Sequence, residues 1–240
     1  MGKRLRPHTN NIPKCLLKIE GKPIIEHIVD ACWQAGLKDI VVVIGYKGEK
    51  IKRLLKNRVR YIWNKDYDTT QTMYSLWLTH KVCKNRPLIH LNGDTFFHPL
   101  ILRKLIAHPY PDALMADSSA QLDKESTRVI VQGGRLRMIG KKFAVIKSDG
   151  ECLGMRKYCA RTASRIYADL GKAVRKGKKN TYIHDILNNY VRVHRLDVVD
   201  SKGLPWIEVD FEKDYAKAKK LAVKSGNGNE HQTAMVGYLK

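Results

Sequence analysis

The sequence feature that most constrains the fold is an uninterrupted apolar run at residues 40–44, in which every side chain is β-branched. A continuous run of this kind, without polar alternation, is typical of a strand buried on both faces of a parallel sheet. Apolar residues at helical spacing precede it at residues 23–32 and follow it at residues 49–56, and a second strand is predicted at residues 59–63. This alternation of helices and strands predicts an open α/β sheet.

The remainder of the chain continues the mixed pattern. Helices are predicted at residues 73–82, 163–175, 183–189 and 211–223, and strands at residues 87–91, 144–147, 152–155, 192–197 and 206–210. Residues 127–131 and 135–139, joined by a Gln-Gly-Gly turn, predict a hairpin. We expect a single domain over residues 1–224 and, from the Gly- and Asn-rich composition, a flexible tail at residues 225–240.

The charge of the chain is strongly basic. Lys and Arg total 45 against 23 Asp and Glu, a formal net charge of +22. The basic residues are spread along the chain, which fits either an ordinary solvated surface or a field that attracts substrates with several phosphates. Nucleic-acid binding usually needs a clustered basic stripe with aromatic residues, and the densest cluster, at residues 172–179, contains no aromatic residue. We therefore expect no nucleic-acid partner.

The cysteines and the hydropathy indicate the compartment. The five cysteines are scattered without a CxxC pair, which fits reduced thiols better than a disulfide framework. No apolar run approaches the roughly 20 residues that a membrane-spanning helix needs. We expect a cytoplasmic protein without membrane insertion.

The basic N-terminal segment is the first candidate for chemistry. Gly2, Lys3 and Arg4 are followed by a lysine, Lys14, that comes directly after a proline. A glycine lets backbone amides approach phosphate oxygens, and neighbouring Arg and Lys side chains neutralise their charge. The segment is therefore either a triphosphate-binding loop or a basic tail without a binding role.

Two acidic residues far apart in sequence are the second candidate. Asp94 ends an Asn-Gly-Asp turn after the strand at residues 87–91, and Asp210 ends the strand at residues 206–210. Open α/β folds bind ligands at the carboxyl ends of their strands, and carboxylates there can hold Mg²⁺ against phosphate oxygens. The alternatives are a strand-terminating turn for Asp94 and a helix cap for Asp210.

A polar segment at residues 64–76 is the third candidate. It carries amide and hydroxyl side chains just before and within the start of a predicted helix. Such groups can bind the edge of a nucleotide base or a small substrate. The alternative is a surface loop with a threonine helix cap.

Several segments together resemble a known family. Residues 2–7 (GKRLRP), Thr9, residues 13–16 (PKCL) and residues 21–25 (GKPII) resemble the GxGxRLxPxTxxxPKxLxxIxGKPII signature of the sugar-phosphate nucleotidyltransferase superfamily. Its phosphocholine cytidylyltransferase-like branch, which includes inositol-1-phosphate and aminoethylphosphonate cytidylyltransferases, is similar at Asn64, Tyr67, Thr70, residues 74–76, Asp94, residues 208–210, Asp214 and Tyr215. The resemblance covers Gly2 to about residue 223.

The resemblance implies a fold and a set of site residues. The fold would be a Rossmann-like open mixed sheet of the GT-A-like nucleotidyltransferase type, with residues 1–110 binding the nucleotide and residues 111–224 the acceptor. The implied catalytic residues are Arg4, Lys14, Asp94 and Asp210, of which Asp94 and Asp210 would ligate Mg²⁺. The implied nucleotide-binding residues are Gly2, Lys3, Arg4, Lys14, Gly45, Thr70, Ser75 and Gly93. The acceptor-binding residues expected are Tyr182, Asp185, Trp206 and Glu208.

The chain departs from the family pattern at its N-terminus. A central first strand and a small-residue turn, roughly VILAAG, should precede residue 1, and we expect this strand to be missing from the chain as given. A mis-assigned start codon or a truncation explains this better than a degenerate relative, because the downstream residues are present. If the chain is complete, we expect weak nucleotide binding and low stability.

The function implied by the resemblance is Mg²⁺-dependent transfer of CMP from CTP to a small phosphorylated or phosphonate acceptor, with release of pyrophosphate. The alternatives are a hexose-1-phosphate nucleotidyltransferase that uses UTP, GTP or dTTP, and an inactive scaffold that acts as a basic binding module. The expected partners are a nucleoside triphosphate and the acceptor, and a homodimer is compatible with the sequence. The prediction depends on a fold that brings Asp94, Asp210 and Lys14 together.

Overall fold

The computed structural model describes residues 2–226, with side chains up to Leu221. The strands of this part are β1 Lys18–Ile19, β2 Lys22–Pro23, β3 Val41–Ile44, β4 Arg60–Trp63, β5 Leu88–Leu91, β6 Thr95–Phe97, β7 Ala113–Asp117, β8 Arg128–Gln132, β9 Arg135–Gly140, β10 Gly150–Tyr158, β11 Asp197–Asp200 and β12 Trp206–Glu208. Its helices are α1 Ile24–Gln34, α2 Gly48–Leu55, α3 Thr72–Leu78, α4 His80–Cys83, α5 Pro99–Ala107, α6 Ala160–Arg175, α7 Ile183–Val191 and α8 Glu212–Gly226. The predicted tail lies outside the described residues from 227 onward.

The first part of the chain contains the predicted helix–strand alternation. Strands β3 and β4 are parallel and are joined by α2, with Val41 opposite Arg60. The prediction that β3 is buried on both faces is wrong, because only Ile44 of this strand is buried. The physical reason is that β3 hydrogen-bonds to β4 alone within the described part of the chain. The central strand that the family pattern places before residue 1 stays a prediction.

A mixed six-stranded sheet, in the order β5-β10-β7-β11-β9-β8, forms the centre of the molecule. Strands β7 and β11 are parallel, and the other pairs in this order are antiparallel. The predicted hairpin is confirmed as β8 and β9. The α/β architecture with a mixed sheet confirms the predicted fold class.

The long strand β10 separates two hydrophobic cores. Its side chains Leu153 and Met155 pack with α1, α5 and α8, whereas Cys152 and Tyr158 pack with α3, α6 and α7. Alternate residues of a strand point to opposite faces, so one strand supplies both cores. Helix α6 follows directly and covers the second core with its buried apolar face.

Two strand predictions at the surface are wrong. Residues 145–147 form a short 3₁₀ helix, and Ile146 in it is 93% exposed. These apolar residues have no neighbouring strand to pair with among the described residues, so their hydrophobicity alone did not make them a strand. The strand predicted at residues 192–197 begins only at Asp197, because the chain first turns at the end of α7, where the His194 N–H donates to the Tyr190 carbonyl. The helix predicted at residues 73–82 is divided into α3 and α4.

The sequence pattern also missed β6, α5 and β7. Strand β7 is short and entirely buried, and β6 has only three residues, so neither shows a clear period. Helix α5 begins with Pro99 at its first turn, and the side chain of His98 accepts the Leu100 N–H. No helix within the described residues is long and apolar enough to cross a membrane.

Glu151 in β10 gives the stability of the fold a testable pH dependence. Burial raises its pKa to about 7, a hydrogen bond from Ser126 opposes the shift, and nearby Asp123 adds to it. A carboxyl group with a raised folded-state pKa binds its proton more tightly when folded, so stability falls as pH rises from 4.5 through 7.

We expect Glu151→Gln to remove this dependence. Between pH 5 and pH 8, the free energy of unfolding of the wild type should fall by roughly 1–2 kcal/mol relative to the variant, after allowance for solvent screening. Urea unfolding in EDTA at both pH values measures the difference, and Glu49→Gln at an exposed position is the control. Identical pH profiles for the wild type and Glu151→Gln would contradict the prediction.

Candidate active site

A short antiparallel strand pair places the distant carboxylates beside each other. The chain leaves β5, passes through the Asn-Gly-Asp turn that ends at Asp94, and continues as β6. Strand β6 pairs with β12 so that Thr95 lies opposite Glu208, and the Val209 N–H donates to the Asp94 carbonyl at 3.0 Å. The residues just outside this ladder, Asp94 and Asp210, therefore meet at one end of it.

Three carboxylates form a cluster at this end. One oxygen from each of Asp94, Glu208 and Asp210 lies within 4.8 Å of the others. The Oδ1 atom of Asp94 is buried and has no hydrogen-bond partner among the described residues. Burial, together with the charges of Asp94 and Asp210, raises the pKa of Glu208 to about 7. An all-oxygen set with an unsatisfied buried oxygen fits a hard divalent cation such as Mg²⁺.

Lys14 connects two members of this cluster. Its Nζ lies 2.6 Å from Asp94 Oδ2 and 2.5 Å from Asp210 Oδ1, and its side chain is only 17% exposed. Burial alone would lower the pKa of Lys14, but the two carboxylates outweigh burial and raise it, so the ammonium stays charged. Burial likewise opposes the lowered pKa of Asp210, which Lys14 and Arg4 hold below its ordinary value.

The N-terminal loop packs against the same lysine. Arg4 donates to Asp210 Oδ2 at 2.8 Å and to Glu125 Oε2 at 3.2 Å, and its guanidinium lies 4.3 Å from the centre of the Phe211 ring. Gly2 has a φ of +69°, and a Cβ on it would lie 3.1 Å from Lys14 Cβ. The glycine is therefore needed for the close approach of the loop to Lys14. Lys3 is exposed.

The alternative role proposed for Asp210, a helix cap, belongs to another residue. At the start of α8 the carboxylate of Asp214 accepts the N–H groups of Asp210 at 3.2 Å and of Phe211 at 2.8 Å. This leaves both oxygens of Asp210 for Lys14 and Arg4.

The polar segment at residues 64–76 is organised by a buried amide. Asn64 donates to Thr70 Oγ1 at 3.0 Å and to Ser75 Oγ at 3.3 Å, and Thr70 also donates to the Asp66 carbonyl. No hydrogen bond in the described part of the chain joins Thr70 or Ser75 to the carboxylate cluster. Their predicted contact with the nucleotide stays a prediction.

Two predicted nucleotide-binding glycines occupy different surroundings. A Cβ on Gly45 would lie 2.6 Å from Tyr67 Cβ, so the glycine permits a close approach of the segment that contains Tyr67. Gly93 has open space around its Cα and directly precedes Asp94. Only Gly93 is adjacent in sequence to the carboxylate cluster.

The predicted acceptor-binding residues fall into two places. Trp206 and Glu208 lie on β12, where the Trp206 Nε1 donates to Asp117 Oδ2 at 2.7 Å. Tyr182 and Asp185 lie at the start of α7, where Asp185 accepts the Tyr182 N–H at 3.3 Å. Of these four side chains, the structure brings only Glu208 into the carboxylate cluster.

The prediction placed Glu208 with the acceptor and did not foresee its place among the carboxylates. A signal existed, because Glu208 and Asp210 are two residues apart at the end of a predicted strand, a spacing that directs side chains to one face. Glu125 and Phe211, which contact Arg4, had no comparable signal. Glu125 lies in a loop between strands, and nothing in its local sequence indicates Arg4 as its partner.

The fold and the site together define a class of protein. An α/β sheet with clustered oxygen ligands near its strand ends, and with Lys14 and Arg4 beside them, has the charges needed to hold a divalent ion and the phosphates of a nucleotide. This is the arrangement of a nucleotidyltransferase.

Within that class, the chain belongs to the MobA-like NTP transferase domain family, which matches residues 1–180. Choline-phosphate cytidylyltransferase of Streptococcus pneumoniae is 26% identical over 225 residues, 92% of this chain and 94% of that protein. CTP:phosphoglutamine cytidylyltransferase of Campylobacter jejuni is 24% identical over 237 residues, covering 89% and 93%. The structure of the inositol-1-phosphate CTP transferase from T. maritima has a TM-score of 0.78 at 21% identity, covering 95% of this chain and 93% of that one.

These similarities confirm the predicted family, the fold class and the enzyme class. The chain is a cytidylyltransferase-like nucleotidyltransferase. Members of the family typically use a divalent metal ion, and the three carboxylates provide a set of ligands that fits one.

We expect Lys14 and a divalent ion to compete for the same carboxylates. In EDTA, Lys14→Met should lower stability by roughly 1–3 kcal/mol, because the buried carboxylates lose their cation. Adding MgCl₂ should then raise the melting temperature of this variant more than that of the wild type.

Differential scanning fluorimetry with and without MgCl₂ measures both effects. Lys18→Met, at an exposed position four residues along, is the matched control and should behave as the wild type. Asp94→Asn combined with Asp210→Asn should abolish the gain from MgCl₂. An equal gain in Lys14→Met and in the wild type would show that the ion and Lys14 use different oxygens.

Proposed function

We propose that the protein catalyses Mg²⁺-dependent transfer of CMP from CTP to a small phosphorylated or phosphonate acceptor and releases pyrophosphate. The observation that carries the proposal is the contact of Lys14 with both Asp94 and Asp210, in a cluster that also contains Glu208. The named activities of the similar cytidylyltransferases support CTP as the donor.

The reaction needs no general base in this proposal. An acceptor phosphate oxygen is already anionic; it bonds to the α-phosphorus of the nucleotide as the bond from that phosphorus to the bridging oxygen breaks. Pyrophosphate leaves with the electron pair. The chain must therefore align two anions and neutralise their charge, which are the main sources of rate in phosphoryl transfer.

The side chains divide this work by position. Asp94, Glu208 and Asp210 would hold Mg²⁺, which when bound neutralises phosphate charge as a Lewis acid. The Lys14 ammonium lies against the same carboxylates and would bind phosphate oxygens at the boundary of donor and acceptor. Arg4, about half exposed, would bind the triphosphate from the solvent side.

The proposed site draws on both parts of the domain. Residues 1–110 supply Lys14 and Asp94 together with the predicted nucleotide-binding residues, and residues 111–224 supply Glu208 and Asp210. Catalysis between a nucleotide and an acceptor is expected where their two binding regions meet. The acceptors named for the relatives differ among choline phosphate, phosphoglutamine and inositol 1-phosphate, so the family leaves the acceptor of this chain open.

A pyrophosphate-release assay tests the proposal. CTP, UTP, GTP and dTTP are each incubated with Mg²⁺ and a panel of phosphorylated acceptors that includes hexose 1-phosphates. We expect CTP with a non-hexose acceptor to give the highest rate. A preference for UTP, GTP or dTTP with a hexose 1-phosphate would favour the alternative enzyme, and no pyrophosphate with any pair would favour an inactive scaffold.

Substitutions of the clustered carboxylates should slow the chemical step of the proposed reaction. We expect Asp94→Asn and Asp210→Asn to lower kcat by about 10²–10³-fold or more, because charge neutralisation in the transition state is lost. Lys14→Met should also lower kcat, and a change confined to KM would assign Lys14 a binding role only. Arg192→Met, at an exposed position after α7, is the control that keeps wild-type rates. Full activity in a folded Asp94→Asn variant would refute the metal assignment.

A further inference from the structure

A buried arginine in β10 has no part in the mechanism above. Arg156 is 3% exposed. Its Nη1 lies 3.2 Å from His90 Nδ1, and its Nη2 lies 3.7 Å from Cys152 Sγ. Its Nε has no hydrogen-bond partner between residues 2 and 221. A guanidinium has five N–H donors, so most of the hydrogen-bonding capacity of this group is weakly used or unused.

The partners of Arg156 carry no negative charge. Burial, followed by the charge of Arg156, lowers the pKa of His90 to about 3, so the imidazole is neutral. An arginine can only donate, so His90 Nδ1 must be the acceptor, and a cysteine sulfur is a weak acceptor. No ion pair of the described residues includes Arg156. A buried charge without a counter-charge is costly to fold, and a ligand that supplies a negative charge would lower this cost.

A second buried donor lies on the same strand. Tyr158 is two residues after Arg156, which places both on one face of β10, and its hydroxyl also lacks a hydrogen-bond partner among the described residues. Two unpartnered buried polar atoms on one strand face, Arg156 Nε and the Tyr158 hydroxyl oxygen, are unusual in a folded protein.

Arg128 on β8 shows what a structural buried arginine looks like in this fold. It too is 3% exposed, its Nε also lacks a hydrogen-bond partner, and it forms no ion pair among the described residues. Its two Nη atoms, however, donate to three backbone carbonyls, those of Asp123, Lys141 and Phe143. Through these hydrogen bonds Arg128 holds two loops against the hairpin. Arg156 donates to no backbone carbonyl in the described part of the chain, so a structural role like that of Arg128 does not explain why Arg156 is buried.

The position of Arg156 relates it to the candidate active site. It pairs with His90 in the ladder of β5 and β10, and two residues earlier the Gly154 carbonyl accepts the Asn92 N–H at 3.0 Å. Asn92 begins the turn that ends at Asp94. On the other side, the charge of Arg156 acts on His184, which stacks on the half-exposed ring of Tyr182 at 5.0 Å. Arg156 therefore lies between the metal-binding turn and the start of α7.

We propose that Arg156 determines specificity by binding an anionic group of the acceptor other than the phosphate that reacts, with a carboxylate as the class that best suits a planar guanidinium. The inference rests on the proposed transfer to a phosphorylated acceptor and narrows the acceptor to compounds with a second negative group. The anion enters beside Tyr182 and accepts from the free N–H groups of Arg156, in the bidentate geometry that arginine and carboxylates form.

Pairs of acceptors that differ by one carboxylate test the proposal. The probes are O-phosphoserine against O-phosphoethanolamine, and 3-phosphoglycerate against glycerol 3-phosphate. In pyrophosphate release, the wild type should prefer at least one carboxylated member by 10-fold or more in kcat/KM. Arg156→Met should reduce that preference to less than 3-fold while it retains the rate with the analogue that lacks the carboxylate, and Arg156→Lys should show an intermediate preference.

The variants also distinguish this role of Arg156 from binding of the reacting phosphate and from hydrogen bonding to buried water. If Arg156→Met slows both members of a pair equally, the guanidinium binds the reacting phosphate, and the proposal is wrong. If the wild type shows no preference in either pair, or if Arg156→Met leaves the preference unchanged, buried water satisfies Arg156 and the proposal is likewise wrong.

A binding measurement keeps the inference testable if no acceptor reacts. Each compound at millimolar concentration is added in thermal unfolding without nucleotide. The carboxylated compound should raise the melting temperature of the wild type but not that of Arg156→Met. This result supports the anion site even when no pyrophosphate forms, and in that case only the proposed transfer is wrong. An equal rise in both proteins, or no rise in either, overturns the anion site.

The stability of Arg156→Met distinguishes a ligand-binding role of Arg156 from a structural one, because the two roles predict opposite changes. Because Arg156 is an uncompensated buried charge without ligand, Arg156→Met should keep or raise the urea midpoint of unfolding. Arg128→Met should lower it, since three carbonyl groups lose their donor. A lowered midpoint for Arg156→Met, of the same size as for Arg128→Met, would assign Arg156 to the scaffold.

Discussion

The contact of one ammonium with two carboxylates organises the candidate active site. Lys14 draws together Asp94 and Asp210, whose charges would repel each other and Glu208 at the distances observed. Arg4 adds a second positive group at Asp210, and the glycine at position 2 lets the loop that carries Arg4 lie against Lys14. The N-terminal loop, the turn after β5 and the end of β12 are thus connected by charge at a single point. The same balance of charges that stabilises the fold without a ligand suits the site to the proposed ion and phosphates.

Backbone register supplies the precision that charge alone does not. The pairing of β6 with β12 sets Thr95 opposite Glu208, and the carboxyl groups on either side of this pair then converge. Strand β10 connects this region to the second core, because successive residues of it face the helices on opposite sides of the sheet. Arg156 on that strand is a buried charged group with only neutral hydrogen-bond partners, and the proposed ligand accounts for it better than packing does.

The sequence predicted the parts of the fold that have strong local patterns. The parallel strands around α2, the hairpin and helices α1, α6 and α7 follow from periodicity. A resemblance in motifs indicated that Lys14, Asp94 and Asp210 would meet, and their predicted roles stay predictions. Strand β7 and the short β6 were missed because their residues are too few or too uniformly buried to show a period. Residues whose importance depends on a distant partner, such as Glu125 beside Arg4 or Arg156 without a counter-charge, leave no local signal and need the folded chain to be recognised.

The separation of the site residues along the chain has a consequence for synthesis. Lys14 and Asp210 are 196 positions apart, and the pair is completed by the residues that join β12 to α8. A ribosome makes the basic loop long before the last two acidic groups, so Lys14 and Arg4 lack Asp210 as a partner until nearly the whole domain has been made. The cluster of Asp94, Glu208 and Asp210 with its two cations is therefore complete only when nearly all of the domain has left the ribosome.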